Sequence, residues 1–109
     1  MSDLEVQADP DGTLRLSGEF DMSSVETFRL AVETLADPDR EIVLDLTELT
    51  FLDSSGIRAI LTMALEIGTN GVVMRNPQPN VRRVIELIGI EGRSGIRLES
   101  PTSRRPQAP

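Results

Sequence analysis

Asp53-Ser54-Ser55-Gly56 is the segment whose residue types and spacing bear most directly on chemistry. It follows a run ending in Phe51-Leu52 and precedes a helical pattern that starts at Ile57. Small polar residues at a helix start satisfy backbone N–H groups that have no partner inside the helix. One use of the segment is therefore plain capping, with Asp53 or Ser54 as the N-cap and Gly56 allowing close packing. The other use is a switch. A hydroxyl at a helix N-terminus lies in the positive end of the helix dipole, with N–H groups close by. A phosphate there is tolerated by the fold and puts about two negative charges on one surface point, where they disturb a partner interface.

Nucleophilic catalysis by Ser54 has no support in the sequence. The hydrolase elbow has glycine on both sides of its serine at fixed spacing, and this segment does not. The chain has no His to activate a hydroxyl, no Cys to replace it and no Lys to serve as an alternative base, since all 11 basic residues are Arg. No catalytic residue is predicted. Asp21, Asp45 and Asp53 lack the spacing of a calcium loop, so no metal site is predicted either. Gly68-Thr69-Asn70-Gly71 reads as a turn, not as a phosphate cradle, and no cofactor is implied.

The formal net charge of −7 sets the remaining bounds. An acidic surface repels nucleic acid and anionic lipid, and the pairs Arg82-Arg83 and Arg104-Arg105 are too short to override it. The acidic Met1-Ser2-Asp3 start lacks a signal-peptide core, and no apolar run is long enough to span a bilayer. The expected location is the cytoplasm.

These residues must be positioned by one small domain, since 109 residues suffice for one core. That core must be aliphatic, because Phe20, Phe28 and Phe51 are the only aromatics. Leu4, Val6 and Ala8 alternate with polar residues, as do Leu14 and Leu16 after the turn Asp9-Pro10-Asp11-Gly12, which predicts a hairpin. Gly18-Glu19-Phe20-Asp21 reads as a loop. Ser23 and Glu26 suggest a capping box, and Val25, Phe28, Val32 and Leu35 a helix. Ile42 to Leu46 reads as a strand covered on both sides, followed by a short turn before Phe51. A second helix carries Ile57, Ile60, Leu61 and Ala64, a strand spans Val72 to Met74, and a third helix begins near Pro77 and Pro79 and ends at Gly89. Gly95 to Leu98 completes the order as a last strand. Ser100 to Pro109 has the composition of a disordered tail. The prediction is a single α/β domain, residues 3–98, with a mixed four- or five-stranded sheet and packed helices, and a tail at 99–109. Its core should include Ile42, Leu44, Ile57, Ile60, Leu61, Val72, Val84 and Ile88.

Four segments in order resemble the STAS domain, a module shared by sulfate transporters and bacterial anti-sigma factor antagonists. They are Leu14–Asp21, ending in Gly-Glu-Phe-Asp; Ile42–Leu46; Phe51–Ile57; and Asn76-Pro77 with Val81–Val84 and Gly89. The resemblance implies that Ser54 is phosphorylated by an anti-sigma factor that is an ATP-dependent serine kinase. The unmodified protein would hold that factor, the phosphorylated form would release it, and a phosphatase would reset it. Asp21, Asp53, Ser55 and Gly56 correspond to residues around the phosphoacceptor. The chain departs from the family in lacking a further amphipathic helix after the last strand.

The resulting expectation is a phosphorylation-controlled anti-sigma factor antagonist, a cytoplasmic partner-switching phosphoprotein in transcription regulation and not an enzyme. The alternative is a STAS accessory subunit docking constitutively in a transport complex. A small-molecule or nucleotide-binding domain is disfavoured by the scarcity of aromatics and the lack of a phosphate cradle. The partner face is expected to include Arg58 and Thr62 on the outward stripe of the second helix, with Met63 as either an apolar anchor or a core residue.

Overall fold

The computed structural model describes residues 4–37, 39–67, 71–90 and 95–99. The elements are β1 (Glu5–Ala8), β2 (Leu14–Phe20), α1 (Val25–Leu35), β3 (Ile42–Leu52), α2 (Ser54–Ile67), β4 (Val72–Arg75), α3 (Pro79–Ile88) and β5 (Ile96–Glu99). The five strands lie in sequence order, with β1 antiparallel to β2 and the other pairs parallel. All crossovers run one way across the sheet, and right-handed crossovers of that kind place their helices on one face. The helices accordingly pack in series, α1 on α2 and α2 on α3. β5 runs through Glu99, which the sequence pattern assigns to the tail. The disordered-tail expectation for 100–109 and most of the 68–71 turn lie outside the described residues.

The hairpin forms as its turn chemistry predicts. Gly12 has φ +92°, and the Asp11 side chain accepts the Thr13 N–H at 2.9 Å. Two other expectations are corrected. Gly18 to Phe20 continue β2 instead of forming a loop, and β3 runs unbroken from Ile42 to Leu52 with no turn before Phe51. The cause is a pair of register shifts. Arg15 pairs with Asp45 but Ser17 with Glu48, and Gly18 pairs with Leu49 but Glu19 with Phe51, so β3 carries an extra residue at each step. Its buried residues change from alternation (Ile42, Leu44, Leu46) to every third position (Leu46, Leu49, Leu52). A strand with that spacing lacks the period-2 signature.

β4 ends at Arg75, opposite Asp45, which leaves the later part of β3 without a strand on that side. The start of α3 takes over. The Gln78 amide donates to the Thr47 carbonyl at 2.9 Å, and the Asn80 amide to that of Thr50 at 2.8 Å.

The core lies between the sheet and the helices. Phe20 and Phe28 meet there with ring centroids 4.8 Å apart. Ile42, Leu44, Ile57, Ile60 and Val72 are buried, but Leu61 and Val84 are only half-buried and Ile88 is 41 % exposed. The buried stripe of α3 is Val81 and Ile85. Gly89, at φ 75°, ends the helix and turns the chain so that Ile90 enters the core instead of Ile88.

Among the described residues no helix packs on the other sheet face, which corrects the expectation that β3 is covered on both sides; that face carries a largely charged row beside the half-buried Val43 and the buried Val73. Gln7, Arg15, Asp45, Arg75 and Glu99 are successive register partners across all five strands. Arg75 pairs with Glu99 at 3.2 Å, and Arg15 with Asp9 at 3.0 Å.

Candidate functional site

The site stands where β2 and β3 end side by side. Phe20 and Leu52 are register partners, and the chain leaves the sheet after each. The Asp53 N–H donates to the Phe20 carbonyl at 3.3 Å, which ties the second exit to the first. Asp21 and Asp53 each follow one residue beyond that last pair.

Asp53 is the cap of α2. Its Oδ1 accepts the N–H of Ser55 at 2.9 Å and of Gly56 at 3.2 Å, and its carbonyl accepts the Ile57 N–H at 3.1 Å. Ser54 is therefore the first residue of the helix, which settles the choice of cap that the sequence leaves open. Two of the first-turn N–H groups that suggested an anion cradle are already engaged by Asp53. The helix dipole remains.

Ser54 is exposed and Ser55 half-buried. Neither hydroxyl has a hydrogen-bond partner among the described residues. Ser54 thus has no structural duty at the point where the helix meets solvent. Gly56 is buried because the first turn of α2 rests on the sheet. A Cβ there would lie 3.0 Å from Cγ and the carbonyl oxygen of Phe20 and 2.5 Å from a methyl of Leu52.

Asp21 has its own task. Its Oδ1 accepts the N–H of Ser23 at 3.0 Å and the Ser23 hydroxyl at 2.7 Å, capping a 3-10 turn over Met22–Ser24. The buried Ser24 hydroxyl lies 2.9 Å from the Glu19 carbonyl. This turn replaces the predicted Ser23–Glu26 capping box, and Glu26 pairs instead with Arg29. Asp45 accepts from Thr47 on the open sheet face, so Asp21, Asp45 and Asp53 are not gathered into one site.

Arg58 and Thr62 are exposed on α2, one and two turns beyond Ser54. Met63 is 7 % exposed and joins the core, where with Phe28 and Val32 of α1 it lines an apolar groove between α1 and α2. Met22 was not singled out from sequence. It follows Asp21 at the same end of the sheet and is 76 % exposed. Its only signal is an apolar residue with no periodic neighbours in a polar turn.

Comparison with known proteins bears directly on this arrangement. A family model described as "Mlab, STAS domain" matches residues 4–99. The chain belongs to the STAS domain family. An anti-sigma F factor antagonist of Lysinibacillus sphaericus is 31 % identical over 81 residues, covering 71 % of this chain and 69 % of that protein. This STAS domain is thus of the anti-sigma factor antagonist type. A STAS-domain containing protein of Pseudomonas aeruginosa is also 31 % identical over 81 residues, covering 72 % of this chain and 80 % of the relative. Among solved structures, the anti-sigma factor antagonist SpoIIAA in its unphosphorylated form superimposes with a TM-score of 0.66 at 23 % identity, covering 93 % of this chain and 91 % of that one. The Bacillus cell fate determinant SpoIIAA in its phosphorylated form gives 0.57 at 22 % identity, with 93 % and 95 % covered. The single STAS fold, a five-stranded mixed sheet with three helices, is shared with these structures. Among the described residues no helix is long and apolar enough to cross a membrane.

Proposed function

We propose that this STAS domain is an anti-sigma factor antagonist controlled by phosphorylation of Ser54. The observation that carries the reading is the exposed Ser54 hydroxyl, left without a structural partner at the first position of α2 while Asp53 does the capping. In the unmodified state the domain binds an anti-sigma factor through the α2 end, with Ser54, Arg58, Thr62 and the exposed Met22 on that face, and Met63 lining the groove beside it. The partner is a serine kinase. The Ser54 oxygen attacks the γ-phosphorus of ATP, the bond to the β,γ-bridging oxygen breaks, ADP leaves and the hydroxyl proton passes to a base on the kinase. About two added charges in a desolvated contact weaken it by about 2–5 kcal/mol. A phosphatase restores the binding form. The domain acts in the cytoplasm, and it turns over no substrate of its own, since it has no His or Lys to activate the Ser54 hydroxyl and no Cys to replace it.

The test is to incubate the wild type, Ser54→Ala and Ser55→Ala with the anti-sigma kinase and ATP and to locate phosphate by mass spectrometry. Wild type and Ser55→Ala should be modified and Ser54→Ala should not. Modification that persists in Ser54→Ala and vanishes in Ser55→Ala overturns the assignment.

A second reading is a STAS subunit that docks constitutively in a transport complex. Asp53 already occupies two of the first-turn N–H groups that a phosphate on Ser54 would otherwise use, and this favours it. It requires partner binding that is indifferent to ATP and survives Ser54→Asp.

A further inference from the structure

The arginines of the helices differ in a way that bears on Ser54. Arg29 pairs with Glu26 and Glu33, three and four residues away on α1, and Arg82 pairs with Glu86 on α3. Arg58 has Ser54 and Ser55 four and three residues before it, and Leu61 and Thr62 three and four after it, so its own helix offers no carboxylate at these spacings. It is exposed, and among the described residues its side chain has no ion pair or hydrogen bond.

Residues four apart on a helix are neighbours, with Cβ atoms about 5–6 Å apart, and the favourable order puts the anion on the N-terminal side. Ser54 is the helix-surface position from which an anion would meet Arg58 in that order. We propose that phosphoserine at position 54 captures Arg58 as an intrahelical ion pair. Phosphorylation then changes the partner face twice, by adding charge at Ser54 and by withdrawing the free guanidinium of Arg58. The proposal rests on the reading of Ser54 as phosphoacceptor.

The pairing can be measured without the kinase. The full chain is made with phosphoserine installed at position 54 during synthesis, in the wild-type, Arg58→Gln and Arg58→Lys backgrounds. The second ionisation of the phosphate is followed by phosphorus NMR against pH. A neighbouring cation favours the dianion and lowers the midpoint. Arg58→Gln should therefore raise it by about 0.15–0.4 pH unit, the value expected of one intrahelical charge pair. Arg58→Lys should restore most of the shift, and 1 M NaCl should abolish the difference between the variants. The acidic neighbours Asp21 and Asp53 are common to all three chains and cancel in the comparison. Because Arg58 is exposed, all three should melt alike before modification. Equal midpoints in wild type and Arg58→Gln overturn the ion pair. Failure of any kinase to modify Ser54 would count against the switch while leaving the measured pair intact.

Discussion

Gly56 lies against Phe20 so closely that a methyl group cannot be added without movement. The added Cβ would stand 3.0 Å from both the ring carbon Cγ and the main-chain oxygen of Phe20. The same oxygen accepts the Asp53 N–H, so one point on β2 sets where the strand β3 ends and where the helix α2 begins. Ser54 lies between these two anchors.

Gly56→Ala is expected to destabilise the domain. Overpacking costs about 1–3 kcal/mol and the gain in helix propensity returns at most about 1 kcal/mol, leaving a net loss of about 1 kcal/mol. Urea unfolding measures it, and a variant as stable as wild type would show that the first turn of α2 shifts freely.

Asp53 separates capping from charge. Asp53→Ala removes the acceptor for two N–H groups and should cost about 1 kcal/mol, whereas Asp53→Asn keeps an acceptor and should stay close to wild type. Thermal melts of the two variants decide the point. Equal losses would mean that the carboxylate contributes chiefly through charge.

Ser54→Ala should leave stability within about 0.5 kcal/mol of wild type, since the side chain is exposed and unpartnered. It should still bind the anti-sigma factor but no longer be released by ATP, and Ser54→Asp should weaken binding only in part. Calorimetric titration with and without ATP tests both. Release of Ser54→Ala by ATP would remove this residue from the switch.

Core truncations should follow burial and not helical periodicity. Ile60 is fully buried, and Ile60→Ala should cost about 2–5 kcal/mol. Ile88 shares the periodicity of its helix but is 41 % exposed, so Ile88→Ala should cost under about 1 kcal/mol. Similar losses at the two sites would place Ile88 in the core after all.

The amides of Gln78 and Asn80 replace a strand along β3. Truncating either to Ala should cost about 0.5–1.5 kcal/mol, with the pair additive if the two carbonyls are served independently. Denaturation midpoints of the two single variants and the double variant test this. A cost near zero for both would mean that water serves Thr47 and Thr50 equally well.

The element order, the hairpin turn and the end of α3 at Gly89 are legible in the residues alone. These follow from interactions a few residues long: a glycine's access to positive φ, a proline's fixed φ and an apolar stripe with helical period. Composition also fixes which side-chain groups are missing, because a chain without His, Lys or Cys lacks them wherever it folds. The rest depends on contacts between distant segments. The two extra residues in β3 are visible only against β2, whose pairing spans some thirty residues. They hid the strand at Thr47–Leu52 and the continuation of β2 through Phe20, and so hid the paired strand ends that Asp21 and Asp53 follow. The same long-range packing chose Asp53 over Ser54 as the cap, left Ile88 in solvent, buried Met63 and pressed Gly56 onto Phe20. Local pattern reports what a residue can do, but register between distant strands fixes which neighbours it meets.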